Sequence, residues 1–279
     1  MPLPYFPVES GDYKITLGLK PHKDGKWLEV DESYASDTKL KRELFSEQKH
    51  AVFASTAGAA LSEAKVLSLV QGSLKTIYPE LVIAPGFNDS NALVKAASLV
   101  QEDLILMQRK GNDYILGAAA VCFPSGWNLR EKVGRNLNDI HFPVPGLNAA
   151  IGSSIDKFFQ NLKPNKIVQR FNWGLFDDPA LFQPGWWRDQ QPAMIDIDAD
   201  TIGQNIYFRV EKQTLQRLED SDDILFTVRI FNTPLDEIAE DQEKTERLHH
   251  ALTSMPNALR HYKTVAQYEE LLLDYLKTS

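Results

Sequence analysis

One histidine and three arginines occupy positions where their chemistry needs an explanation. His141 lies in NDIHFPVPG, just ahead of Pro143, Pro145 and Gly146. Prolines that fix φ, next to a glycine that admits unusual angles, would present it on stiff chain and not on a mobile loop. Neutral imidazole is the commonest side-chain ligand for iron, and a haem iron needs only one. A lone histidine in a proline-rich loop is more often a hydrogen-bonded structural residue, so spacing alone favours that reading over the ligand. Arg170 in VQRFNW, Arg209 in YFRVEKQTL and Arg229 in FTVRIF each stand among apolar or aromatic residues. An unpaired guanidinium there is costly, so each requires a carboxylate or another anion. Glu211 and Tyr207 share the face of Arg209 in a regular strand, which predicts either an ion pair or a polar pocket lined by these arginines and Glu211. Trp173, Trp186 and Trp187 are candidates for pocket walls or for core.

Other chemistries find no support. The chain has no G-x-x-x-x-G-K-S/T phosphate loop, no G-x-S-x-G elbow and no H-E-x-x-H helix. Asp196, Asp198 and Asp200 resemble the start of a calcium loop, but Thr201 and Tyr207 stand where glycine and glutamate are needed. His249 and His250 are adjacent on a charged helix and cannot both face one metal. Cys122 is the single cysteine, which excludes an internal disulfide and a cysteine-ligated iron–sulfur cluster or zinc site within the chain. Its apolar setting, AAAVCF, predicts a buried, inert thiol. Thirty basic residues against 38 acidic give a net charge of -8, which argues against a nucleic-acid or anionic-membrane surface. With no apolar run of 18 residues and no signal-like N-terminus, the expected location is cytoplasmic.

The elements that must position these residues follow from periodicity. Residues 1–30 read as an extended arm along the surface, and Asp31 to His50 as a charged helix. Leu61, Val66, Leu67, Val70, Leu74 and Ile77 recur at helical spacing before Tyr78-Pro79, and a third helix spans about Ser90 to Val100. From Asp103 the period changes to that of strands: DLILMQRK and DYILGAAAVCF joined by a KGND turn, then KIVQRFNWGLF, IYFRVEKQTLQRL and DILFTVRIF. A helix from Ile151 to Leu162 interrupts them. After the last strand, Thr233 reads as an N-cap with Pro234 in the first turn of a helix reaching Pro256, and Val265 to Leu276 supplies another. Five antiparallel strands flanked by helices make an α+β protein. One domain over 1–279 is expected: a mainly helical extension at 1–100, a sheet core at 101–233 and C-terminal helices at 234–279.

Four motifs in order, FPSGWNLREKVGRNLNDIHFPVPG, QRFNW, FRVEKQTLQRL and FTVRIFNTPL, resemble the alpha-subunit-like family of haem-dependent oxidative N-demethylases. The similarity extends from LGLKP and WLEVDESY to the C-terminal helices. It implies a PAS-like five-stranded sheet, a haem b held by an axial histidine, and oxidation of dimethylamine to methylamine and formaldehyde by O2. It also implies that electrons from NADPH arrive through FMN and a 2Fe-2S centre on a partner reductase subunit, with tetrahydrofolate elsewhere in the complex taking up formaldehyde. Within the matching motifs His141 is the only histidine, and so the ligand the resemblance implies. Trp127 and Arg229 join it as cofactor contacts, and Arg209, Glu211, Arg170 and Tyr207 as the groups acting on oxygen and amine. A PAS-like protein that binds haem or a small molecule as a sensor, without turnover, is the alternative.

Overall fold

The structure, a computed structural model, describes residues 3–23, 25–83, 85–185, 197–263 and 268–278. Trp186, Trp187 and Asp196 lie outside them. The chain builds one antiparallel sheet with helices on either side. Its first strand, β1 (Lys20–Pro21), comes from the N-terminal arm, followed by α1 (Tyr34–Glu47), α2 (Lys49–Val52) and β2 (Phe53–Ser55). Next come α3 (Ala60–Ile77) and α4 (Ala92–Ala97), the latter capped by Asn91, whose side chain accepts from Leu93 N and Val94 N. On α3, Val66, Val70 and Leu74 are fully buried, a stripe at four-residue spacing that belongs to the larger buried cluster. Burial of each such side chain contributes about 1.5–3 kcal/mol before chain entropy is counted.

The expected hairpin is present as β3 (Asp103–Lys110) and β4 (Asp113–Ala120), turning at Gly111 with φ +65°. The chain continues through α5 (Leu137–His141), α6 (Leu147–Asn161), β5 (Ile167–Phe176), α7 (Ile202–Asn205), β6 (Tyr207–Arg217) and β7 (Ile224–Pro234). The tail is α8 (Leu235–Ala239), α9 (Gln242–Ser254), α10 (Asn257–Lys263) and α11 (Glu269–Thr278).

The sheet order is β1-β5-β6-β7-β3-β4-β2. It therefore has seven strands where five were expected. The five long ones are those read from the sequence, and the additions are edge strands of two and three residues. Segments this short carry no legible alternation; they form because β4 and β5 leave backbone groups unpaired at the two edges. Two buried clusters hold the layers. The larger joins α3 and α4 to β3 and β4, and the smaller packs Trp173, Phe208 and Val210 against Leu235, Leu248 and Leu252 of the C-terminal helices.

Three local expectations are corrected. β7 runs through Thr233 and Pro234, so Thr233 is no helix cap, and the long helix foreseen beyond it is broken into α8 and α9. The second begins at Asp241, whose carboxylate accepts from Lys244 N. His141 is presented not by irregular proline-braced chain but as the last residue of α5, which Asn136 caps by accepting from Asp139 N. The N-terminal arm does more than lie on the surface: Val8, Trp27 and Leu28 are buried in it, and Lys20–Pro21 pairs with Gln169 and Val168 of β5. Among the described residues no helix is long and apolar enough to cross a membrane.

Candidate functional site

A cavity of about 1410 Å³ opens between the N-terminal arm, the segment 121–147, strands β5 and β6, and the end of α10. It exceeds the roughly 300–1,000 Å³ of ordinary small-molecule pockets. One wall begins where β4 ends. Asp103, buried at the start of β3, accepts from Cys122 N and Phe123 N at 2.9 Å each, and Lys41 lies 3.4 Å from its carboxylate. This clamp turns the chain toward Pro124, Gly126 and Trp127, which line the cavity. Burial, outweighing the nearby Lys41 charge, pushes the Cys122 thiol up, so it is inert as expected.

His141 lines the same cavity. Its Nδ1 is buried with no hydrogen-bond partner, and no hydrogen bond reaches the ring from any described residue. A helix C-terminus favours imidazolium, but α5 is a single turn, and burial together with the Arg170 and Lys132 charges outweighs it. These hold the imidazole down to about 4, so the ring is neutral near pH 7. Lys132 closes the end of α5 by donating to Ile140 O at 2.6 Å. An unprotonated, unbonded imidazole facing a large cavity with apolar walls fits an axial haem ligand, and Trp127 lines the space beside it.

The polar side of the cavity comes from strand register. Arg170, Asn172 and Gly174 of β5 stand opposite Gln213, Glu211 and Arg209 of β6, and directly paired residues share a face. Glu211 is held at one oxygen: Gln213 Nε2 donates to Oε2 at 2.8 Å and Asn172 Nδ2 at 3.2 Å. Asn172 Oδ1 in turn accepts from Lys263 Nζ at 2.9 Å, and Lys263 also donates to Trp173 O at 2.5 Å. Burial, opposed by Glu211 and reinforced by Arg170, brings the Lys263 ammonium down to about 8. Gly174 makes this approach possible, since a Cβ there would stand 3.1 Å from Lys263 O.

Arg170 behaves differently from the other two arginines. Its Nε is buried without a partner, and its guanidinium makes no hydrogen bond or ion pair with any described residue. Burial lowers its pKa, with Glu211 opposing. Arg209 also lines the cavity, but its donors are consumed. Nε donates to Ser125 Oγ at 2.9 Å, Nη1 to Ala180 O at 3.0 Å, and Nη2 to Leu181 O at 2.9 Å and Phe123 O at 3.1 Å. It ties two loops to β6. Burial draws it down to about 10 while Glu211 and two aspartates resist.

Two residues grouped with these from the sequence stand elsewhere. Arg229 is on the opposite face of β7, bonded to Asp31 at 2.6 Å and 3.6 Å from Asp37, in the layer beneath α1. The carboxylate it required comes from the N-terminal segment and not from the cavity. Tyr207, although in alternation with Arg209, begins β6 beyond the cavity rim and is not among the lining residues. Trp173 lines the cavity while packing 5.5 Å from Phe208, so wall and core are one residue. The acidic turn at Asp198 caps its own backbone, accepting from Thr201 N at 3.0 Å and Asp200 N at 3.1 Å.

Asn172, Gln213 and Lys263 escaped the sequence reading. Asn172 is two residues from Arg170 and Gln213 two from Glu211, so period-two alternation would have placed both on the polar face. Lys263 has no such signal, because its contact spans 91 residues.

Together, an α+β sheet, a cavity of about 1410 Å³ and, on its walls, the buried imidazole of His141 and the half-bonded carboxylate of Glu211 set out a candidate ligand site. Residues 18–273 match the family described as haem-dependent oxidative N-demethylase, alpha subunit-like, and the chain belongs to that family. The resemblance carried by the four motifs is thereby borne out. The family is named for haem dependence and for an alpha subunit, which implies further subunits.

Proposed function

We propose that this chain is the haem-binding catalytic subunit of an oxidative N-demethylase acting on a small secondary amine, with one contiguous unit of fold over its length. The observation that carries the reading is His141: a neutral imidazole, free of hydrogen bonds to described residues, at the cavity wall. His141 would ligate the iron of haem b, with Trp127 against the macrocycle. When bound, the haem supplies O2 activation and electron transfer. The net reaction for dimethylamine is dimethylamine, O2, two electrons and two protons giving methylamine, formaldehyde and water.

This chain's own residues bind and orient. Glu211 Oε1 accepts the amine N–H, while Asn172 and Gln213 keep Oε2 fixed, so the carboxylate presents one oxygen in a constant direction. Arg170 supplies positive charge where negative charge develops or binds. Arg209 holds the loops that close the wall and has little donor capacity left for substrate, and Tyr207 and Arg229 take no part at the cavity. The single cysteine supports placing the 2Fe-2S centre on a partner reductase that draws on NADPH, with FMN and tetrahydrofolate also bound by partners.

The test is reconstitution. Haem added to the purified protein is expected to give a Soret band, absent in His141→Ala, and a reductase partner with NADPH should then release formaldehyde from dimethylamine. Protein that stays colourless after reconstitution ends the haem reading. Haem uptake with no formaldehyde would leave a haem-binding or sensor protein.

A further inference from the structure

Two opposite charges on neighbouring strands of this cavity decline to pair. Arg170 faces Gln213 directly, and Glu211 is the next residue on the same face of β6, so Arg170 and Glu211 are diagonal neighbours. Such positions stand about 7–8 Å apart, within reach of long side chains. Arg170 senses the Glu211 charge, yet no ion pair forms. Glu211 is turned away by Asn172 and Gln213, which saturate Oε2 and leave Oε1 without a described partner. Arg170 keeps a buried, unbonded Nε. The side chain is half-buried, so its guanidinium has given up part of its hydration without gaining a counter-ion, which costs free energy.

The balance of charge around this gap is positive. Lys263 and Arg209 add two buried cations beside the same Glu211, and both already bond to neutral oxygens. A simple protonated amine would bring one more positive charge and leave Arg170 unsatisfied. A molecule carrying a carboxylate next to a secondary amine satisfies both ends at once: two parallel N–H···O bonds from the guanidinium to the carboxylate, and one N–H to Glu211 Oε1.

Resting on the N-demethylase reading above, we propose that Arg170 and Glu211 form a zwitterion site and that the substrate class is N-methylated amino acids in preference to simple dialkylamines. Arg170 binds the substrate carboxylate, and Glu211 Oε1 binds the amine with its N-methyl group directed into the cavity. The one competing source of a carboxylate is the edge of a bound haem, which carries the same chemistry.

The test is calorimetric titration of N-methylglycine and of dimethylamine into the protein, once haem-free and once haem-loaded, with Arg170→Met and Arg170→Lys beside the parent. N-methylglycine should bind at least about tenfold more tightly than dimethylamine, the worth of one charge-assisted pair. Arg170→Met should abolish that preference while haem uptake persists, and Arg170→Lys should keep part of it. Arg170 bonds to no described residue, so its removal leaves no partner unsatisfied, and the parent comparison stands without either variant. Equal affinity for the two amines, or tighter dimethylamine, overturns the proposal. So does an Arg170→Met protein that loses haem but not the preference, which assigns Arg170 to the haem carboxylate. Failure of haem binding alone defeats the N-demethylase reading and not this site, because the haem-free titration still decides it.

Discussion

Asn172 stands directly across from Glu211 in the β5–β6 ladder and donates its side-chain amide to Glu211 Oε2 at 3.2 Å. Because Gln213 saturates the same oxygen, the free valence of the carboxylate is confined to Oε1. Glu211→Gln keeps the shape and removes the charge. It should weaken amine binding by about tenfold or more, the worth of a charge-assisted bond, and leave haem uptake intact. Asn172→Ala should cost less, since Gln213 remains. Titration of both variants with the same amine checks the order.

His141→Ala should abolish a Soret band on haem addition, as stated above, and the pH dependence of folding offers a separate readout. The folded imidazole titrates at about 4, below its ordinary 6.5. Between those values the unfolded chain holds a proton that the folded chain refuses, so stability falls as pH drops from 6.5 to 4, by at most about 3 kcal/mol. Denaturant midpoints at pH 4.5 and 7 should differ less in His141→Gln than in the parent. An unchanged difference counts against the buried neutral ring.

Lys263 gives the opposite end of the pH scale. Its ammonium is brought down to about 8 from 10.5. Below pH 8 both states are protonated and the burial cost is fully present. From 8 to 10.5 the folded chain releases the proton first, so stability rises with pH, by at most about 3 kcal/mol. Lys263→Met should flatten that rise in unfolding measurements at pH 8 and 10. It should also loosen Asn172, seen as weaker amine binding at pH 7.

Arg209→Met leaves Ala180 O, Leu181 O and Phe123 O without their donor. The expected loss is about 3–5 kcal/mol, that of breaking a buried charged network. Arg209→Lys should recover little, since an ammonium cannot span the fork. Thermal denaturation of both variants measures it. A near-parental midpoint would show that the two loops are held by other contacts.

Much of this protein was determined by its sequence alone. The helical stripe of α3, the five long strands and their turn residues, the inert Cys122 and the family motifs follow from local periodicity and residue type. These are properties that a segment carries by itself. So does the demand that Arg170, Arg209 and Arg229 each find a partner. Which partner was decided only by tertiary structure: Asp31 for Arg229, backbone carbonyls for Arg209, and no described residue for Arg170. Alternation shows which residues of a strand share a face, but not which face meets a cavity. Register between β5 and β6 sets Asn172 against Glu211, and the packing of α10 brings Lys263 to Asn172. Those contacts depend on chain closure over tens of residues, which no local pattern encodes.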